Sequence, residues 1–147
     1  MLFCTVYLHD SLYGRASPGL CVGTMPLRVL IADDSPVMRR AIRNLLAPEA
    51  EIEIVGEATS FREMCELRAK FNPEIIVMDM HMVELPDLTS EELKCLSEPD
   101  WKILAISARS PSEAEPLAIG LGAKHFMDKM DLGENLVPKL HEMVRES

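Results

Sequence analysis

The chain of 147 residues is 48% apolar and 27% charged, with seven aromatic residues, the make-up of one folded domain rather than a disordered segment. A formal charge of −9 and a pI near 4.9 weigh against nucleic acid as a direct partner, and no apolar run approaches the roughly 18 residues of a membrane span. Four Cys at irregular spacing match neither a disulfide framework nor a zinc site, so free thiols in a reducing cytoplasm are expected.

Residues 1–24 stand apart from the rest. They hold one acid, Asp10, and one base, Arg15, so the whole −9 falls on the residues that follow. Asp10 interrupts the apolar stretch and no base precedes it, which does not suit a secretory signal. Gly14, Pro18, Gly19 and Gly23 break any longer helix or strand. The expectation is a poorly ordered extension or a start assigned too far upstream, with Met25 opening a domain that runs over residues 25–147.

From Leu27 the chain alternates. Leu27–Ala32 predicts a buried strand ending at Asp33 and Asp34. Ser35 is an N-cap type and Pro36 suits a first helical position; Val37, Met38, Ala41, Ile42, Leu45 and Leu46 then recur at helical spacing until Pro48. Ile52, Ile54 and Val55, interleaved with Glu51 and Glu53, predict an edge strand. Ser60-Phe61-Arg62-Glu63 reads as a capping box opening a helix to about Phe71. Ile75–Met78 is an apolar strand running into Asp79, followed by a less regular stretch from His81 to Leu88. Thr89-Ser90-Glu91-Glu92 opens another helix to about Ser97, and Lys102–Ile106 makes a fourth strand ending at Ser107. Pro116 would cost a helix one hydrogen bond, so the next helix is expected to begin there and end near Gly120–Gly122, leaving Arg109–Glu115 as a loop. Ala123–Met127 predicts a fifth strand ending near Lys129, and Leu136, Val137, Leu140, Met143 and Val144 mark an amphipathic C-terminal helix.

Strands alternating with helices imply an α/β fold, a parallel sheet with helices on both faces. Ligands of such sheets bind at the edge where the strands end. Asp33, Asp34, Asp79, Ser107 and Lys129 all stand at strand ends. Clustered carboxylates raise one another's pKa unless a cation joins them, and hard oxygen ligands with room for water suit Mg²⁺. Lys129 and Ser107 offer an ammonium and a hydroxyl for phosphoryl oxygens. The set describes phosphoryl transfer onto or off a carboxylate.

The segments VLIADDSPVMRRAI, PEIIVMDMHM, ILAISA and GAKHFMDK resemble the motifs of the response-regulator receiver domain of two-component signalling, over about Leu27 to Val144. The resemblance implies a flavodoxin-like sheet of five parallel strands in the order 2-1-3-4-5, as in single-domain chemotaxis regulators. It makes Asp79 the phosphoacceptor, attacking the phosphohistidine of a sensor histidine kinase or phosphotransfer protein. Asp33, Asp34, Asp79 and the main-chain carbonyl of His81 would hold Mg²⁺. Lys129 would pair with the phosphoryl group and Ser107 would bond to it, with Ala108 small enough to allow the approach. Phe126 matches the aromatic position that moves inward when Ser107 is drawn to the phosphate. The implied readout surface is the family's fourth helix, fifth strand and fifth helix, here Leu117–Leu121, His125 and the exposed side of Glu134–Val144. A downstream protein would dock there. No independent turnover is implied beyond phosphorylation and dephosphorylation of Asp79 itself.

Several positions depart from the family pattern. Val83 follows Met82 where a Pro is usual, and Asp87 falls near the position of a closing Gly, so that loop is expected to be rearranged, with Pro86 fixing part of it. Met130 stands where a cis Pro is common. His81 and Arg109 occupy variable positions beside the attacking water of dephosphorylation, and their bulk and charge are expected to alter phosphoryl lifetime. A degenerate receiver, keeping the fold as a binding module without phosphorylation, is the alternative function. With the chain ending at Ser147, control of transcription is expected to need another chain.

Overall fold

A computed structural model of the chain describes residues 25–82, 89–90 and 102–146. The expected extension over 1–24, the loop bearing Val83, Pro86 and Asp87, and the helix beyond Ser90 lie outside the described residues. β1 (Leu27–Ala32), β2 (Ile52–Ala58), β3 (Ile75–Asp79), β4 (Lys102–Ser107) and β5 (His125–Asp128) form one parallel sheet in the order β2-β1-β3-β4-β5. That is the flavodoxin-like arrangement expected. Parallel pairing throughout brings the C-terminal ends of all five strands to one edge.

Alternation along the strands divides the core in two. Val29, Ile31, Ile75, Val77, Leu104 and Ile106 face one side, covered by Ile42 and Leu46 of α1 (Pro36–Leu46) and by Leu136, Leu140 and Met143 of α4 (Leu132–Arg145). Leu30, Ala32, Ile76, Met78, Ile103 and Ala105 face the other, covered by Phe61 and Met64 of α2 (Phe61–Phe71) and Ala118 of α3 (Pro111–Gly120). β3 is buried along its whole length. Each Leu or Ile removed from water in this way stabilises the fold by roughly 1.5–3 kcal/mol. The central strands, buried on both faces, thus carry the residues at their ends on a packed core.

The helix starts follow local chemistry. Ser35 caps α1, its hydroxyl accepting the Met38 N–H at 3.3 Å, with Pro36 in the first helical turn. Ser60 caps α2 through the Glu63 N–H at 3.1 Å. Glu63 reaches back one residue further than a capping box requires, accepting from Thr59 N–H and Thr59 Oγ1, each at 2.7 Å. Asn72 ends α2 in the left-handed conformation at φ 45°, which Asn tolerates better than most residues.

Four elements differ from expectation, the smallest change being in β5, which spans His125–Asp128 rather than Ala123–Met127. β2 runs on to Ala58, because Gly56 and Glu57 pair with Leu30 and Ile31 after a register shift that leaves Val55 as the extra residue. A side chain at Gly56 would bring its Cβ to 3.2 Å from Leu30 Cδ1, a tight contact that Leu30 would have to relieve by a few tenths of an ångström. α3 begins at Pro111, not Pro116, so Ser110–Glu115 is mostly helical. Pro111 takes the first-turn position where its missing N–H costs nothing, and the bond forfeited at Pro116 lies on an exposed face, open to solvent. α4 begins at Leu132, one turn earlier than its apolar spacing indicated, and carries Gly133 and Pro138 on exposed positions.

Candidate functional site

β1 delivers Asp33 to the sheet edge with no solvent exposure. Its Oδ1 accepts the Ser35 N–H at 2.8 Å, which turns the carboxylate back over its own loop. Its Oδ2 accepts Lys129 Nζ at 2.9 Å across 96 residues of sequence. Asp34, the next residue, is exposed. β3, between β1 and β4, delivers Asp79 with 2% exposure. Asp79 Oδ1 accepts the His81 N–H at 3.1 Å and stands 3.2 Å from Lys129 Nζ. One oxygen from each of Asp33, Asp34 and Asp79 lies within 4.8 Å of the others. Ser107 ends β4, buried, its Oγ accepting the Arg109 N–H at 3.0 Å.

These residues line one cleft of about 440 Å³, with His81, Arg109, Ala108 and the apolar side chains of Met80, Leu117 and Leu121 as its other walls. The expected site residues Asp33, Asp34, Asp79, His81, Ser107 and Lys129 are thus brought together. Phe126 is not among the lining residues; half-buried on β5, it packs against the core on the α2 and α3 side. Lys129 follows β5 as the first residue of a short 3₁₀ turn, Lys129–Asp131, whose start Asp128 caps by accepting the Met130 N–H at 2.9 Å.

Burial pushes the Asp79 carboxyl above its ordinary value, and the Asp33 charge pushes the same way, against the His81 N–H and Lys129, which pull it down. Burial also works to lower the Lys129 ammonium, but its bond to Asp33 and the charge of Asp79 outweigh that, and it titrates above its usual value. Asp33 and Asp79 share the Lys129 ammonium, so ionised together with Asp34 the three carboxylates outnumber the positive charge paired to them. The donors are all oxygen, and Asp34 opens them to water. Such a set fits Mg²⁺, which keeps several waters, better than a metal that requires a closed cage of His or Cys.

Two contributors had no part in the expectations from sequence. Arg39 Nη1 donates to the main-chain carbonyl of Asp33 at 2.8 Å, and Glu57, at the end of β2, pairs with both Arg39 and Arg43. The usable signal was the position of Arg39, one helical turn beyond the Ser35 cap and so on the face that overlooks the end of β1.

The family model for the response regulator receiver domain matches residues 29–141. The chain is 32% identical over 119 residues to the chemotaxis protein CheY of Thermotoga maritima, covering 81% of this chain and 98% of that one. It is 34% identical over 122 residues to protein-glutamate methylesterase/protein-glutamine glutaminase 2 of Carboxydothermus hydrogenoformans, covering 82% of this chain. It spans about a third of the length of that methylesterase and of similar ones from Methanococcoides burtonii and Methanosarcina acetivorans. Among solved structures, the response regulator domain of Thermotoga maritima CheB superposes with a TM-score of 0.66 at 24% identity, covering 80% of this chain and 96% of that one. The chain belongs to the response-regulator receiver family of two-component systems.

Proposed function

We propose that this receiver accepts a phosphoryl group on Asp79 from the phosphohistidine of a sensor histidine kinase or phosphotransfer protein. The observation that carries the reading is Lys129, bonded to Asp33 at 2.9 Å and beside Asp79 at 3.2 Å, within a converging group of three carboxylates. An Asp79 carboxylate oxygen attacks phosphorus, the new O–P bond forms as the P–N bond breaks, and the electron pair returns to the histidine ring. Asp33, Asp34, Asp79 and the His81 carbonyl would hold Mg²⁺, which would supply positive charge against the phosphoryl oxygens. Lys129 exchanges its carboxylate partner for a phosphoryl oxygen, and Ser107 gives up the Arg109 N–H to donate its own hydroxyl hydrogen. Arrival of the phosphoryl charge shifts the loop bearing Ser107, with Phe126 following, and so changes what docks on Leu117–Leu121, His125 and Glu134–Val144. A related arrangement supports the choice of donor: one solved neighbour is CheY6 from R. sphaeroides, in complex with the P1 domain of CheA3. The setting is cytoplasmic, without contact to nucleic acid or membrane.

The test is incubation with Mg²⁺ and acetyl phosphate or beryllofluoride, comparing wild type with Asp79→Ala. An Mg²⁺-dependent adduct, seen by mass spectrometry or as NMR shifts at Ser107 and Phe126 and lost in Asp79→Ala, is expected. Identical spectra with and without beryllofluoride would point instead to a degenerate receiver that binds partners without phosphorylation.

A further inference from the structure

Asp33 is held at three points besides its place in the chain. Ser35 N–H and Lys129 Nζ take its two carboxylate oxygens, and its own N–H continues the strand pairing to the Ala58 carbonyl at 3.1 Å. Its carbonyl belongs to a residue with no solvent exposure, where an unpaired acceptor would be costly. Arg39 supplies the donor, Nη1 at 2.8 Å. The guanidinium is in turn braced: its Nε lies 3.5 Å from Glu57 Oε1, and the other oxygen of Glu57 lies 3.1 Å from Arg43 Nε. With only 16% of its side chain exposed, Arg39 is fixed by the end of β2 and fixes the end of β1.

We propose that Arg39 is a positioning residue for cation binding. Braced by Glu57, it holds the Asp33 main chain so that the Asp33 and Asp34 carboxylates converge on Asp79. The inference rests on the reading above that Mg²⁺ binds among these carboxylates. It has a distinctive sign. By Coulomb's law a guanidinium near a cation site repels the cation, so its removal as a mere charge would tighten Mg²⁺ binding. Its removal as a brace weakens binding, as loss of the groups behind metal ligands does elsewhere, by roughly 10–100-fold.

Titration of the full chain with MgCl₂, followed by amide NMR shifts, gives the dissociation constant, and unfolding in EDTA gives the metal-free midpoint. Arg39→Ala is expected to weaken Mg²⁺ binding about tenfold or more. Arg39→Lys keeps one donor within reach of the carbonyl and is expected to recover most of the loss. Arg40→Ala removes the same charge from an exposed neighbour on the same helix and is expected to leave the constant unchanged or slightly tighter. Should Arg39→Ala prove unfolded in EDTA, Glu57→Gln takes its place, with a severalfold weaker constant expected. Folded Arg39→Ala that binds Mg²⁺ as tightly as wild type, or tighter, would overturn the inference alone. Wild type that shows no Mg²⁺-dependent shifts would overturn the metal-binding reading itself, and this inference with it.

Discussion

Ser107 Oγ is turned to the N–H of Arg109, and Asp79 Oδ1 to the N–H of His81, each closing a tight turn two residues on. These bonds use main-chain donors, which leaves the side chains of His81 and Arg109 free to shape the mouth of the cleft that both residues line. A water attacking an aspartyl phosphate at Asp79 is expected to approach through this mouth. The imidazole and guanidinium narrow that path and hold a cation beside the phosphoryl oxygens, so they are expected to prolong the phosphorylated state. His81→Asn and Arg109→Ala leave the main-chain bonds intact and should shorten the aspartyl-phosphate half-life severalfold. The measurement is decay of the phosphoprotein after removal of acetyl phosphate, and equal half-lives in all three proteins would refute the idea.

α3 shows how an element can be stable with a residue that opposes it. Pro116 is the sixth of its ten residues and forgoes a bond to the Ser112 carbonyl, yet the helix is anchored by Ala114 and Ala118, both buried against the sheet. Tertiary packing decides where local propensity alone would have broken the helix. Pro116→Ala should therefore stabilise the protein by roughly 1–2 kcal/mol, the helix gain less the greater entropy of the unfolded chain. Urea unfolding would check it, and an unchanged midpoint would mean that the helix already bends to spare the bond. The same contest explains what was legible from sequence alone. The five strands and the residues at their ends were readable because buried apolar runs stop abruptly at Asp33, Asp79 and Ser107, and a parallel sheet gathers those stops on one edge. The start of α3, the length of β2 and the start of α4 were not, because Pro116, Gly56 and Gly133 are local breakers overruled by packing and pairing with distant segments. Arg39 escaped for a related reason: its partners, the Asp33 carbonyl and Glu57, meet only once β1, β2 and α1 are assembled.

At the scale of the whole molecule, a chain of charge −9 gathers three carboxylates at one edge, two of them buried. The fold bears that concentration of charge at a cost to its stability, and Asp79 shows the sign. Burial, with Asp33 adding, raises its folded pKa above the ordinary value. A group that holds its proton more tightly in the folded state favours folding at acid pH, and that contribution is lost as pH rises through the folded pKa. At neutral pH, above the ordinary carboxylate range, that contribution is reduced and the burial of Asp79 works against folding in the metal-free protein, so Asp79→Asn should raise the unfolding midpoint in EDTA at pH 7. As pH falls below the ordinary carboxylate range, Asp79 is protonated in both states and the advantage should disappear. Mg²⁺ should act in the opposite sense on the two proteins' difference. A cation that binds only the folded state adds about 2.7 kcal/mol at a hundredfold excess over its dissociation constant. Wild type, with all three carboxylates, should collect that gain, while Asp79→Asn, lacking one ligand charge, should collect much less. Melting both proteins with EDTA and with excess MgCl₂ at pH 7 thus gives two differences that must move in opposite directions. If Asp79→Asn is no more stable than wild type without metal, the charge at the sheet edge is already balanced by Lys129. If both proteins gain equally from Mg²⁺, the cation binds elsewhere than at Asp79.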